Sequence, residues 1–198
     1  MTTATDNFNR ADTGTLGANW TKQTTWEFQI ISNQAASNGG FNPVSEYWNA
    51  GTFSGDHSSE AAISGMVSGN TYVGVAVRCS TSAETYYALK TDGASGITGG
   101  GGHTRIVKVV AGAETALLDI DCPFADGDVI KLAIAGTTLT AYKNGASVGT
   151  TTDSSLSGGK PGLFVYGNAA RVDNWTGADI DTTVYDPITA CFPIGYYE

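Results

Sequence analysis

The chain is short of charge, proline and cysteine, and each shortage narrows the classes of protein to which it can belong. Only 15% of its 198 residues are charged, and 19 acidic residues against 10 basic ones give a net charge of −9. This charge opposes binding to polyphosphate and no Lys/Arg cluster offsets it, so we expect no nucleic acid partner. The 26 glycines outnumber the 5 prolines, which favours short strands joined by tight turns, with little helix.

Cysteine usage and hydrophobic runs exclude further classes. Cys79, Cys122 and Cys191 are an odd number at wide spacings, which fits neither a disulfide framework nor a compact metal site. We expect reduced thiols, with Cys79 a small core residue. No segment approaches the roughly 20 apolar residues of a membrane span, and the first residues lack the basic and apolar regions of a secretion signal. We therefore expect a chain made in the cytoplasm, with no membrane partner.

Two stretches alternate apolar and polar side chains in the manner of antiparallel strand pairs. Tyr72–Lys90 has two apolar runs around a polar turn, and Asp126–Gly145 repeats the design around Gly136. The alternating apolar residues are the predicted core positions: Val73, Val75, Val77, Ile130, Leu132, Ile134, Leu139 and Ala141. With 41% hydrophobic residues, the chain can bury one substantial core, so we expect a single sandwich domain.

Shorter patterns fill in the rest of the chain. Asp6–Trp20 is predicted to be an irregular edge segment, anchored by three apolar side chains: Phe8, Leu16 and Trp20. The glycine-rich run Ile97–Gly102 is predicted to be a loop. Further strands are predicted at Trp26–Ile31, Glu46–Ala50, Ser59–Ser64, Thr104–Val110, Leu163–Tyr166 and Val172–Trp175.

Several of these segments together resemble a known family. The segments DNFNRADTGTLGANW, VGVAVR with YYALK, GDVIKLAIAGTTLTAYKNG, GGKPGLFVYG and VDNW follow one another in this order. The succession resembles concanavalin A-like, laminin G-like jelly-roll domains over Asp6–Ala178, particularly the stand-alone versions in proteins of tailed bacteriophages and some bacterial surface proteins. The resemblance implies an all-β fold, a two-sheet antiparallel jelly-roll sandwich with ligands on the concave face or its rim. We expect the sandwich to occupy residues 1–178 and an extended C-terminal arm to occupy residues 179–198.

The sequence lacks the carboxylate pattern that a sugar hydrolase of this architecture needs. Such enzymes place acid and nucleophile about 5 Å apart. The nearest text is Asp119 and Asp121, interpreted as a solvated strand end before a turn, and Glu46 and Glu60 are isolated. His57 and the second histidine, His103, are predicted to lie in surface loops. We therefore assign no catalytic residues and no cofactor.

Metal binding rests on the resemblance alone. Some relatives hold calcium at loop rims, so the resemblance leaves Ca²⁺ open. The chain shows no local calcium-loop spacing, and we assign no ligands.

Aromatic residues are the remaining candidates for a binding site. Sugars stack on Trp and Tyr rings while planar polar groups contact their hydroxyls. The candidates for such a platform are Tyr47, Trp48, Tyr72, Arg78 and Tyr86, with Trp26 as a further ring; Tyr72 and Arg78 are predicted to share the non-core face of one strand. In the alternative interpretation, Trp20, Trp26 and Trp175 belong to the sandwich core and Arg78 pairs with a neighbouring acid.

Three functions from different classes follow. The leading hypothesis is a non-catalytic exterior virion component of a tailed bacteriophage, in capsid or tail, located in the virion. Its arm would dock on other virion proteins or another copy of the chain through Phe192, Ile194, Tyr196 and Tyr197, unless it folds back on its own sheet. The alternative is a lectin-like module that binds cell-surface glycan outside the cell. A polysaccharide hydrolase is the last alternative.

Overall fold

A computed structural model describes residues 1–66, 71–92, 103–167 and 170–180, and these residues form fifteen strands and no helix. In chain order the strands are β1 (Thr3–Asp6), β2 (Trp20–Lys22), β3 (Phe28–Ile31), β4 (Gln34–Ser37), β5 (Pro43–Trp48), β6 (His57–Gly65), β7 (Tyr72–Cys79), β8 (Tyr86–Thr91), β9 (Thr104–Val110), β10 (Ala113–Ile120), β11 (Val129–Ala135), β12 (Thr138–Lys143), β13 (Ala146–Thr152), β14 (Lys160–Tyr166) and β15 (Arg171–Asp179). None of the described elements is a helix long and apolar enough to cross a bilayer.

The strands form two antiparallel sheets packed face to face. Sheet A has the order β13-β12-β11-β6-β15-β4-β3, with β1 also paired to β15, and sheet B has the order β10-β9-β8-β7-β14-β5-β2. Strands adjacent in the sequence often pair, as β7 does with β8 and β11 with β12. The predicted all-β, two-sheet antiparallel sandwich is confirmed.

The inter-sheet core contains the residues that the alternating patterns predict. Val73, Val75 and Val77 point inward from sheet B, and the predicted stripes of β11 and β12 point inward from sheet A, all with no exposed surface. At about 25 cal/mol per Å² of buried apolar area, this is the main stabilising contribution to the fold. The turns predicted around these strands are also present, since Gly136 and the pair Asn144-Gly145 have the positive φ angles typical of tight hairpin turns.

Three tryptophans form a cluster at one end of this core. The ring of Trp175 lies 4.6 Å from that of Trp20 and 5.3 Å from that of Trp48, centroid to centroid. The indole N–H of Trp175 donates to Ser59 Oγ at 2.9 Å, and that hydroxyl donates to the carbonyl of Gly162 at 2.6 Å. The cluster therefore links sheet A to β14 of sheet B through both apolar and polar contacts.

The N-terminal segment is held by one carboxylate. Asp6 accepts hydrogen bonds from Arg10 at 2.7 Å, from the indole N–H of Trp20 at 2.9 Å and from the backbone N–H of Phe8 at 2.9 Å. Burial alone would raise the pKa of Asp6, but these hydrogen bonds hold it below its usual range. The predicted anchors Phe8, Leu16 and Trp20 are buried.

Several predicted boundaries differ from the structure. Trp26 lies in a bend and not in a strand, and β5 and β6 begin earlier than predicted. Strands β1, β2, β4, β10 and β13 are additional, and most are short or polar. Ile97–Gly102 and the arm beyond residue 180 lie outside the described residues, so the division at residue 178 stays a prediction.

Candidate functional site

The outer faces of the two sheets differ in chemistry. One row of cross-strand neighbours on sheet A reads Tyr142, Lys131, Glu60, Thr176 and Thr5, and every member is at least partly exposed. The corresponding row on sheet B reads Val107, Ala88, Ala76, Gly162 and Tyr47, and all of these are buried. Sheet A thus presents a polar outer face, whereas sheet B carries a second apolar cluster.

Small residues give this second cluster a floor on which aromatic rings lie. A Cβ atom at Gly162 would lie 2.3 Å from the carbonyl oxygen of Glu46, so only glycine fits there. Tyr86 packs against Phe164 with ring centroids 6.2 Å apart, and its hydroxyl bonds to the side chain of Ser45. Burial raises the pKa of Tyr86 above its usual range, so its hydroxyl remains a hydrogen-bond donor.

Two half-buried tyrosines lie beside the buried side chains of Lys90 and Phe164 at the end of sheet B where β7 begins and β14 ends. Tyr72 and Tyr166 are both half-buried, with ring centroids 6.0 Å apart in an edge-to-face arrangement. Lys90 places its ammonium 4.5 Å from the centroid of Tyr72 and 5.9 Å from that of Phe164. Gly74 lies between Lys90 and Phe164 in the sheet. We define the Gly74 notch as the four side chains around this glycine, those of Tyr72, Tyr166, Lys90 and Phe164.

Charged groups border the Gly74 notch along the neighbouring strands. Lys90 Nζ lies 2.7 Å from the carboxylate of Glu114, and Arg105 Nε lies 2.5 Å from that of Asp119. Burial raises the pKa of Tyr72, so its hydroxyl is protonated at neutral pH. The notch therefore combines the partly exposed rings of Tyr72 and Tyr166 with positively and negatively charged groups on the neighbouring strands.

The structure brings three of the five predicted glycan-binding residues onto this face. Tyr47, Tyr72 and Tyr86 all point outward from sheet B. Tyr86 is only 1% exposed and Tyr47 7%, so Tyr72 alone offers an accessible ring. The sequence patterns missed Tyr166, Lys90 and Phe164, because each lies on a strand whose two faces are both largely apolar.

Trp48 lies on the opposite side of sheet B. Its ring stacks on Trp175 and packs against the inter-sheet core. The alternative prediction of a core role is confirmed for Trp20 and Trp175, whereas Trp26 is 44% exposed.

Arg78 is also separated from Tyr72, and the prediction that the two share one face is wrong. A β-bulge interrupts the pairing of β7 with β14, and Arg78 adopts a φ of 51°. Because a bulge shifts the two-residue period, Cys79 replaces Arg78 on the outer face. Arg78 instead lies at the end of the sandwich, where Asp56 is 3.6 Å from its Nη2.

His57 and the four carboxylates considered above as catalytic candidates each have a defined place in the structure. His57 is fully buried at the start of β6, so the surface-loop prediction is wrong for it; its Nε2 accepts the backbone N–H of Arg78 at 3.0 Å. Glu46 faces the core, and Glu60 lies on the outer face of sheet A. Asp119 and Asp121 are exposed at the end of β10, as predicted.

The described part of the chain contains two buried cysteines and no cluster of metal-ligating side chains. Cys79 and Cys122 are free and buried, as expected, although Cys79 belongs to the outer cluster of sheet B. Burial raises the pKa of the Cys79 thiol far above its usual range, which makes it unreactive. No group of three or more His, Cys, Asp or Glu side chains among the described residues is placed to hold a metal ion.

Comparison with known proteins identifies the fold. No protein-family model matches the chain, and no curated protein sequence matches it. Among solved structures, the carbohydrate-binding module CBM66 from Bacillus subtilis superposes with a TM-score of 0.62 and 18% identity, over 81% of this chain and 94% of that one. The Emp47p carbohydrate recognition domain superposes with a TM-score of 0.57 and 11% sequence identity, over 89% of this chain and 94% of that one.

Glucanases share the same architecture. A β-1,3-1,4-glucanase (lichenase) from a mouse hindgut metagenome gives a TM-score of 0.59 and 10% identity, over 90% of this chain and 99% of that one. At these identities the likeness defines architecture and not activity. The protein therefore has the fold of a concanavalin A-like, two-sheet jelly-roll sandwich.

Proposed function

We propose that this protein is a non-catalytic carbohydrate-binding module that binds saccharide at the Gly74 notch. The observation that carries the proposal is the aromatic outer face of sheet B, which contrasts with the polar outer face of sheet A. The solved neighbours include a carbohydrate-binding module and a carbohydrate recognition domain, which supports the same interpretation.

The geometry of the notch suits a sugar ring. The half-buried rings of Tyr72 and Tyr166 offer apolar surface against which sugar C–H groups pack. The Lys90–Glu114 and Arg105–Asp119 pairs supply donors and acceptors for hydroxyl groups at its border. A few fixed polar groups beside an apolar surface are the usual means of orienting a small ligand.

The carboxylates beside the notch support a non-catalytic role. Glu114 and Asp119 each form an ion pair, with Lys90 and Arg105 respectively. A retaining or inverting hydrolase needs one carboxyl group that remains protonated near the scissile bond. Turnover of any bound polysaccharide by the purified protein would contradict this part of the proposal.

Replacing Tyr72 by alanine should weaken saccharide binding about tenfold, because it removes one of the two half-buried rings of the notch. Tyr142→Ala is a matched control, since Tyr142 lies on the outer face of sheet A with Lys131 Nζ 5.5 Å from its ring centroid. Binding would be measured on a glycan array and then by calorimetry with the best ligand. Equal losses in Tyr72→Ala and Tyr142→Ala, or no glycan bound by the wild type, would refute the assignment.

The virion role, the virion location and the assembly partners predicted from the sequence remain predictions. Their four candidate residues, Phe192, Ile194, Tyr196 and Tyr197, lie outside the described residues. Electron microscopy of particles that carry the protein would test this role, since a repeating position on a larger particle is its required outcome. An extracellular location goes with the carbohydrate-binding proposal.

A further inference from the structure

Arg78 is held in a strained conformation at the end of the sandwich remote from the Gly74 notch. Its φ of 51° lies in the left-handed region, which a residue with a side chain rarely adopts. The guanidinium donates to three backbone carbonyls from separate loops: Gly55 at 3.1 Å, Leu156 at 2.7 Å and Gly136 at 2.6 Å. These bonds use three of its five N–H groups, which leaves two with no hydrogen-bond acceptor among the described residues.

The loop that leads into β14 brings further donors beside Arg78. Gly158 and Gly159 have φ angles of 70° and 122°. In the described part of the chain, the backbone N–H groups of Ser157, Gly158 and Gly159 have no acceptor. Backbone N–H groups that border a concavity and have no acceptor of their own can donate to a bound anion.

Close packing fixes this loop against Arg78. A Cβ atom at Gly159 would lie 2.5 Å from the carbonyl carbon of Arg78, so glycine alone permits the approach. Lys160 follows directly, and its ammonium donates to the carbonyl of Gly51. The loop, the lysine and the arginine thus border one space.

That space is a cleft of about 470 Å³ whose lining is rich in donors. The lining includes Arg78, Lys160 and four hydroxyl-bearing residues: Ser80, Thr81, Ser155 and Ser157. The lining contains two cations, several hydroxyls and no carboxylate, in a chain with a net charge of −9. Asp56 pairs with Arg78 at 3.6 Å but does not line the cleft, so the charged side chains of the lining are those of Arg78 and Lys160.

We propose that this cleft binds an oxyanion, the sulfate or carboxylate group of an acidic saccharide or the corresponding free ion. Lys160 and the free N–H groups of Arg78 supply charge-assisted hydrogen bonds, and the N–H groups of residues 157–159 contact the remaining oxygens. The cleft lies where β7 ends and β14 begins, whereas the Gly74 notch lies at their opposite ends. The two sites are therefore independent.

The isotope-labelled protein would be titrated separately with sodium sulfate, glucose 6-sulfate and glucose. Binding would be monitored through the NMR chemical shifts of the backbone amides. We expect saturable shifts at Gly158 and Gly159 with the two sulfates and none with glucose. Tighter binding of glucose 6-sulfate would assign the cleft to a saccharide, and equal binding would assign it to the free ion. Absence of saturable shifts with either sulfate, or equal binding of glucose, would overturn the proposal.

Two lysine variants provide a second test of the oxyanion proposal. Lys160→Gln should weaken sulfate binding about fivefold or more, since a charge-assisted contact is lost. Lys131→Gln, which removes a half-exposed lysine of the outer face of sheet A, should leave it unchanged. Equal affinities in Lys160→Gln and wild type would overturn the proposal. Tyr72→Ala should bind sulfate normally, so that failure at the Gly74 notch is distinguished from failure at this cleft.

Discussion

Glu46→Gln should make the protein about 3 kcal/mol more stable than the wild type near pH 8, and this advantage should disappear towards pH 4. Glu46 is 4% exposed and points between the sheets, where its carboxylate accepts the backbone N–H of Phe28 at 2.7 Å. Burial, with repulsion from Glu27, raises the pKa of Glu46 to about 7. Glutamine keeps an oxygen for Phe28 and carries no charge.

The direction of the pH dependence follows from the raised pKa. The folded protein holds the Glu46 proton up to about pH 7, whereas the unfolded chain releases it near 4.5. The wild type therefore loses stability as the pH rises through this window. His57 acts in the opposite direction, because burial lowers its pKa and stability is lost as the pH falls below the unfolded value. The difference between variant and wild type isolates Glu46.

Urea unfolding of both proteins between pH 4 and pH 8 measures this difference. Glu60→Gln is the matched control, since Glu60 lies partly exposed on the outer face of sheet A beside Lys131. Its stability difference from the wild type should vary little over the same range. A stability difference for Glu46→Gln that is the same at every pH would show that folding does not raise the pKa of Glu46.

Trp175→Ala should lower the free energy of unfolding by about 4 kcal/mol, the largest loss we expect from a single substitution. Trp175 has no exposed surface, and its removal leaves a cavity between Trp20 and Trp48. The substitution also deletes the hydrogen bond to Ser59, whose hydroxyl bridges to sheet B. Because the cavity and the lost bond lie at the contact of the two sheets, the whole sandwich should be affected.

Trp26→Ala is the control for this experiment, since it deletes the same side chain from a position that is 44% exposed. Its expected cost is below about 1 kcal/mol. The measurement is the midpoint and slope of urea unfolding for both variants. Comparable losses in the two variants would mean that the tryptophan cluster contributes no more than a surface ring.

The sequence predicts the fold best where one strand face is buried and the other is polar. In β11, Ile130, Leu132 and Ile134 alternate with Lys131, and the two-residue period determines which side chains point inward. The same period fails at Arg78, because a bulge shifts the register and nothing in the local sequence marks it.

The candidate site is harder to predict because it lies on strands that are buried on both faces. Every residue of β8 is buried, so Tyr86 and Lys90 cannot be assigned to a face from alternation alone. Tyr166 joins Tyr72 only because β14 pairs with β7, a contact between strands far apart in the chain. Strand order across a sheet depends on long-range packing, and single-strand patterns do not encode it. The sequence does not predict strand β1 either, because Thr3–Asp6 is short and its residues show no apolar alternation.

The pairing of β1 with β15 places residues 2 and 179 side by side. The N–H of Asp179 donates to the carbonyl of Thr2 at 2.8 Å, and the N–H of Thr2 donates to the Asp179 carboxylate at 2.6 Å. A polypeptide that entered the sandwich at residue 2 and left it at residue 179 would leave within a hydrogen bond of its entry point. This meets the geometric condition for domain insertion, since such a module can be spliced into a surface loop of a larger protein without separating the ends of that loop.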